Sequence, residues 1–286
     1  MRVLLQHLTK YEYERSVFLA PHLVRLKPAA HSRTSIEFYD LSIQPDGHLI
    51  HWQQDPFGNF IARIDFKEPM HKLLIDVKII ANLTPVNPFD FFVDESAQNF
   101  PFAYDDQLKK NLNSYLEITD YGPKIMQWLE KVNRYKMGII DFLVMVNQKV
   151  NDEISYTMRM QPGVQTSDES LELASGSCRD SAWLLVQVLR HLGLAARFVS
   201  GYLVQVVNPI NNTNVEDADS FSLHAWAEVY IPGAGWIGLD ATSGLFAGEG
   251  HIPLACTPVP ESAAPITGKS EICKTIFTYN NRIKRF

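Results

Sequence analysis

Over the first 85 or so residues, short runs of β-branched and aromatic residues alternate with turn signals. Runs at 3–8, 35–43, 49–53, 59–65 and 72–81 predict strands, separated by turns such as Pro45-Asp46-Gly47 and the Asp55-Pro56-Phe57-Gly58-Asn59 stretch. Many short strands at close spacing predict an antiparallel β-sandwich. Around 84–106 the pattern breaks, with Pro85, Pro88 and Pro101 set among phenylalanines. That stretch predicts a connection that packs against a core, or aromatics that line a groove. From Tyr121 the period becomes helical. Ile125, Trp128, Leu129 and Val132 mark one helix after Pro123, and Ile139, Phe142, Leu143, Val146 and Val150 mark the next. Residues 154–156 read as a short extended piece and 167–173 as a short helix.

Residues 181–192 are apolar nearly all round a helix, which predicts a helix running through a core rather than lying on it. Ser177 and Asp180 form a Ser-x-x-Asp capping pattern at its start, and Gly193 is the expected stop. Strand 197–207 and a polar loop at 208–219 follow. Residues 222–230 then alternate: Leu223, Ala225, Ala227 and Val229 face one way, His224, Trp226, Glu228 and Tyr230 the other. The Pro232-Gly233-Ala234-Gly235 return predicts a hairpin with 236–241. Beyond Thr242 the chain is rich in Gly, Pro and Ala as far as Lys269, and a strand at 272–279 comes last. The pattern as a whole predicts an α+β protein, with a β-sandwich at 1–84 and a catalytic unit at 85–286.

Composition narrows the classes. With 46% hydrophobic and 20% charged residues over 286 positions, the chain can bury two cores. A net charge of −6 without a basic stripe argues against nucleic acid as a partner. No apolar run approaches membrane-spanning length, and the N-terminal one is too short for a signal peptide. Three cysteines make no disulfide framework, so a reduced, cytoplasmic setting is expected. His7, His22, His31, His48, His51 and His71 have no metal-ligand spacing.

The candidate chemistry starts at Cys178, the first helical residue after Ser177. Free N–H groups and the positive end of the helix dipole favour a thiolate there. If residues 230 and 234, or 231 and 235, flank the hairpin return, position 224 lies opposite 240, 241 or 242. His224 and Asp240 are then neighbours across the pair. Thiol, imidazole and orienting carboxylate make an activated nucleophile. Each residue alone has an ordinary reading: a core cysteine, a hydrogen-bonded strand histidine, a turn-forming aspartate. Zinc held by Cys178, His224 and Asp240 is a rival, weakened by the lack of any short Cys-x-x-Cys or His-x-x-x-His pair. No Gly-x-Ser-x-Gly elbow supports a serine hydrolase.

The segments around these residues are Gly176-Ser177-Cys178-Arg179-Asp180, Arg197-Phe198-Val199-Ser200-Gly201-Tyr202, His224-Ala225-Trp226-Ala227-Glu228 and Gly235-Trp236-Ile237-Gly238-Leu239-Asp240. Together they resemble the bacterial transglutaminase-like superfamily over roughly 150–245. The first 80 residues are similar to the N-terminal region that precedes the catalytic domain in such proteins, through Tyr11-Glu12-Tyr13, Arg25-Leu26-Lys27-Pro28 and Phe57-Gly58-Asn59. The resemblance implies a papain-like core with Cys178 as nucleophile, His224 as base and Asp240 as orienter. It implies a peptide or protein substrate, no cofactor and no metal. Tyr156 is a candidate second oxyanion donor beside the Cys178 N–H, and Trp226 and Trp236 are candidate groove walls. Hydrolysis by a cysteine protease or amidase is the expected reaction; transamidation and a non-catalytic binding module remain alternatives. Cys256 and Cys273 lie outside the motif.

Overall fold

The computed structural model describes residues 1–207 and 218–286, so positions 208–217 of the polar loop lie outside the described residues. The fold is mixed α and β, and its three large sheets are antiparallel. One four-stranded sheet runs in the order Thr275–Arg285, Arg2–Val17, Met70–Asn82, Ser35–Gln44. A second runs Ile266–Thr267, His22–Val24, Phe60–Phe66, His48–Gln54. The alternation that predicts these strands also fills the space between the sheets. Val3, Leu5, Leu73, Ile75, Val77 and Ile79 from one meet Val24, Ala62 and Ile64 from the other in one buried cluster.

The expected division after residue 84 cuts across these sheets. Strand Thr275–Arg285 pairs along Arg2–Val17, from Val3 opposite Arg285 to Tyr13 opposite Thr275, and Ile266–Thr267 pairs with His22–Val24. The C-terminal residues therefore complete sheets that the N-terminal residues begin. Their strand starts later than the apolar run at 272 suggests and continues to Arg285, because Arg2–Val17 offers partners that far.

The third sheet runs Leu245–Phe246, Gly235–Asp240, Ser220–Ile231, Ala196–Gln205, His251–Thr257. Its Ala225, Ala227, Val229, Ile237 and Leu239 pack against the central helix Cys178–His191 and helices Pro123–Glu130 and Ile139–Glu153. Its other end, with Tyr202, Val204, Phe221 and Ile252, joins the first core. The buried Tyr202 hydroxyl meets His7 Nδ1 at 2.7 Å, so burial holds His7 neutral, its pKa lowered to about 4. The Phe-rich connection packs as well as connects: Phe100 lies flat on Phe142, and Phe91 and Phe102 rest on the helical core.

The central helix is buried nearly throughout, as its composition predicts. Its internal polar groups reach the surrounding backbone, although Gln187 Nε2 finds no partner among the described residues. Gln187 accepts from the backbone N–H groups of Thr119 and Asp120, and Arg190 donates to the carbonyls of Glu117, Ala196 and Pro258. Gly193, at φ +81°, turns the chain out of the helix. None of the described helices is long and apolar enough to cross a membrane.

Candidate active site

Cys178 begins the central helix and is partly buried. Asp180 fixes that helix start. Its carboxylate is fully buried and accepts from Ser177 N–H at 2.8 Å, Ser177 Oγ at 2.7 Å, Gln165 N–H at 2.7 Å and both Nε and Nη2 of Arg159. Burial opposes its charge, but these donors outweigh burial and bring its pKa down to about 2. Arg179 donates to the carbonyls of Arg159 and Gln161, pinning the same loop beside Cys178. The two-residue strand Ser155–Tyr156 runs parallel to Ser175–Gly176, which sets Tyr156 opposite Gly176. Tyr156 is more than half exposed. Burial, and next the charge of Cys178, raise the pKa of its phenol, so it lies within electrostatic reach of the sulfur.

The hairpin brings the other two predicted residues together. The observed register sets Ala227 opposite Leu239 and Tyr230 opposite Trp236. Asp240 then falls diagonally from His224 on the same face. His224 Nε2 meets Asp240 Oδ2 at 3.1 Å, and both residues are buried. The remaining ring nitrogen, Nδ1, is the one left for Cys178. Burial works against the imidazolium. The hydrogen bonds and charges of Asp240 and Cys178 prevail and raise the His224 pKa to about 9. For Asp240, burial is likewise outweighed by its histidine partners, and its pKa falls well below the usual carboxylate range.

Helix Ile139–Glu153 holds the end of the hairpin through residues whose role the sequence pattern does not reveal. Asn147 donates to the Leu245 and Asp240 carbonyls, and Asn151 to those of Ala241 and Thr242. Thr242 N–H closes a turn onto Asp240 Oδ1 at 2.9 Å.

Two expectations need correction. Trp226 is 1% exposed and sits in a closed cluster with Val199 and Cys256, so it is a core residue and not a groove wall. It lies over Gly201, where any Cβ would meet the indole at 2.3 Å. Trp236 stands four residues from Asp240, roughly 13 Å along the strand. There it packs with Tyr115 and Tyr230 under the Arg197 guanidinium, away from His224.

A second histidine reaches the site unannounced. His251 Nε2 meets Asp240 Oδ2 at 3.3 Å. His224, Asp240 and His251 thus offer three donor atoms within 4.8 Å of one another. Their hydrogen bonds disfavour a cation. His251 Nδ1 accepts the Gly248 N–H at 3.2 Å, so the neutral ring carries its proton on Nε2, where a metal would need a lone pair. His31, Glu228 and Cys256 form another such group, but the Arg197 guanidinium occupies it, 2.6 Å from Glu228 and 3.2 Å from His31.

Two stretches of the chain match known families. Residues 127–241 match the model of the transglutaminase-like superfamily, and residues 3–82 that of the bacterial transglutaminase-like N-terminal region. Residues 127–241 belong to the transglutaminase-like superfamily. An uncharacterised protein of Mycobacterium tuberculosis is 25% identical over 258 residues, 86% of this chain and 80% of that protein. A protein-glutamine gamma-glutamyltransferase of Pseudomonas aeruginosa is 35% identical over 98 residues, 33% of this chain but 14% of that protein. The crystal structure of a candidate cysteine protease from Cytophaga hutchinsonii shares the fold, with a TM-score of 0.68 at 15% identity, over 99% of this chain and 90% of that one. The transglutaminase-like match contains Cys178, His224 and Asp240 and stops short of His251.

The raised His224 pKa predicts a pH-dependent stability. A histidine that binds its proton more tightly when folded contributes stability that is complete below about 6.5. That contribution is lost as pH rises through about 9. Melting temperature is therefore expected to fall from pH 7 to pH 9.5, and to fall less in His224→Ala. Equal slopes in the two proteins would contradict the pairing.

Proposed function

We propose that this transglutaminase-like chain is a thiol enzyme acting by acyl transfer on a peptide or carboxamide. The observation that carries the reading is the position of His224, hydrogen-bonded through Nε2 to buried Asp240 and raised in pKa by Asp240 and by Cys178, to which its Nδ1 is left. Cys178 attacks the carbonyl carbon and the C=O π pair moves to oxygen. The Cys178 N–H, which has no intrahelical acceptor, is the first donor for that oxyanion, and the Tyr156 hydroxyl is the candidate second. The His224 imidazolium gives its proton to the departing amine as the C–N bond breaks, leaving a thioester. Water then loses a proton to His224, attacks the thioester and releases the acid, and the thiol is restored. Asp240 keeps its charge throughout and orients the ring.

Hydrolysis is the primary reading. The likeness to the Pseudomonas glutamyltransferase favours a second, in which an amine replaces water as acceptor. A peptide-library digest with and without an added primary amine separates them. Free new carboxyl termini are expected with water alone, and amine adducts identify transfer. An inert library, together with Cys178 that labels no faster than an ordinary thiol, would contradict both.

A further inference from the structure

Asp240 is held by three donors. Thr242 N–H takes Oδ1, while His224 and His251 share Oδ2. His251 is itself fixed on two sides. Its Nδ1 accepts the Gly248 N–H, and its backbone N–H donates to the Gly248 carbonyl at 3.0 Å. Its ring stands edge-on to Trp226, at 5.2 Å and 85°. Trp226 fills the space over Gly201, where an added Cβ would meet its ring at 2.3 Å. The His251 side chain is 12% exposed. An edge strand, a tight Gly248–His251 turn and a buried indole thus aim one N–H at one carboxylate oxygen, in a residue the acyl-transfer steps do not use.

We propose that His251 is a positioning residue whose Nε2–H clamps the Asp240 carboxylate, keeping Oδ2 on His224 Nε2 and His224 Nδ1 free for Cys178. The proposal rests on the thiol reading of the site. With Thr242 alone on Oδ1, rotation about Cβ–Cγ carries Oδ2 away from His224, and the imidazolium loses its anion. Among the described residues, the other groups around Asp240 do not do this. Asp240 faces His224 from Ser220–Ile231 and His251 from His251–Thr257. His224 meets Asp240 through Nε2, and the charge of Cys178 also acts on it, as it does on Tyr156. Asn147 reaches only the Asp240 backbone carbonyl, and Trp226 is uncharged.

The test is the rate at which iodoacetate alkylates Cys178 between pH 5 and 10. The anionic reagent is drawn to a protonated His224, so its rate falls where the imidazolium deprotonates. Wild type is expected to be fast, with a falling limb near pH 9. His251→Phe keeps a ring beside Trp226 but removes the donor. Its limb is expected to move down by at least about one pH unit toward the ordinary histidine value, with alkylation at pH 8 at least about twofold slower. His251→Gln, which retains an N–H at similar reach, is expected to restore most of both. A limb in His251→Phe that stays in place, or moves up, overturns the clamp even if the rate or melting temperature falls. A wild-type protein without a fast phase overturns the thiol reading instead. Nitrogen-15 NMR of the wild type gives a check that needs no variant: the His251 proton must sit on Nε2, and finding it on Nδ1 overturns the proposal.

Discussion

His224→Ala is expected to slow the iodoacetamide alkylation of Cys178 about 100-fold at pH 6.5. An unassisted thiol with a pKa near 8.5 is only about 1% ionised at that pH, whereas one paired with a protonated imidazole is largely reactive. His224 holds its proton up to about pH 9, so the pair persists across the neutral range. Asp240→Asn is expected to cost less, about tenfold, because the ring remains but loses the anion that orients and charges it. The other two cysteines are internal standards. Cys256 is buried, and burial pushes its thiol up, so it should stay unlabelled in folded protein. Cys273 is partly exposed and should label at the rate of a free thiol. The measurement is a time course of the three cysteine-containing peptides by mass spectrometry. Equal Cys178 rates in wild type and His224→Ala would sink the activated-nucleophile reading.

Asp180→Ala is expected to destabilise the fold by about 3–5 kcal/mol, the range for stripping one partner from a buried ion pair. The loss is larger than an ordinary core truncation because the carboxylate serves several donors at once. Its removal strands Arg159, whose side chain is only 16% exposed, together with the N–H groups of Ser177 and Gln165. Urea unfolding gives the difference directly. Asp180 also sets the acid limit. A carboxyl whose folded pKa is depressed contributes stability that is complete above about 3.8. That stability is lost as pH falls toward about 2. Wild type should therefore lose more stability over that window than the alanine variant, which keeps the other depressed carboxylates such as Asp240. A cost below about 1 kcal/mol would show that the helix start is held by the backbone alone.

Most of the site was legible because its determinants are local. Ser177 and Asp180 mark a helix start by a four-residue pattern, and the alternation through 222–230 decides which side chains share a face with His224. Of the registers left open, the two even ones keep His224 and Asp240 on one face, and the observed pairing is one of them. His251 was not legible. Its strand contains Pro253, which reads against a strand, but His251–Thr257 is the edge of its sheet, where a missing N–H costs little. At the same place Leu254 bulges out of register, between Ser200 paired with Ala255 and Gly201 paired with Pro253. Trp226 was misread for a related reason. Alternation puts it on the face of His224, but only Gly201, on the neighbouring strand, reveals that this part of the face is closed. Asn147 and Asn151 give no signal in the sequence, because their acceptors lie about 90 residues away on the hairpin end.

The pairing of Thr275–Arg285 with Arg2–Val17 bears on how the chain reaches its native state. Tyr11 lies opposite Phe277, so this ladder closes nearly the whole described chain into one loop. As a contact between segments more than 260 residues apart in an unfolded chain it carries a large entropic cost and forms slowly. The cost shrinks once the intervening hairpin and central helix have folded, because they bring the two segments near each other as parts of one body. The N-terminal sheet therefore gains its outer strand as a late step that reports completion of the helical core. Until then Arg2–Val17 presents an unpaired edge, the surface most open to pairing with a second molecule during refolding.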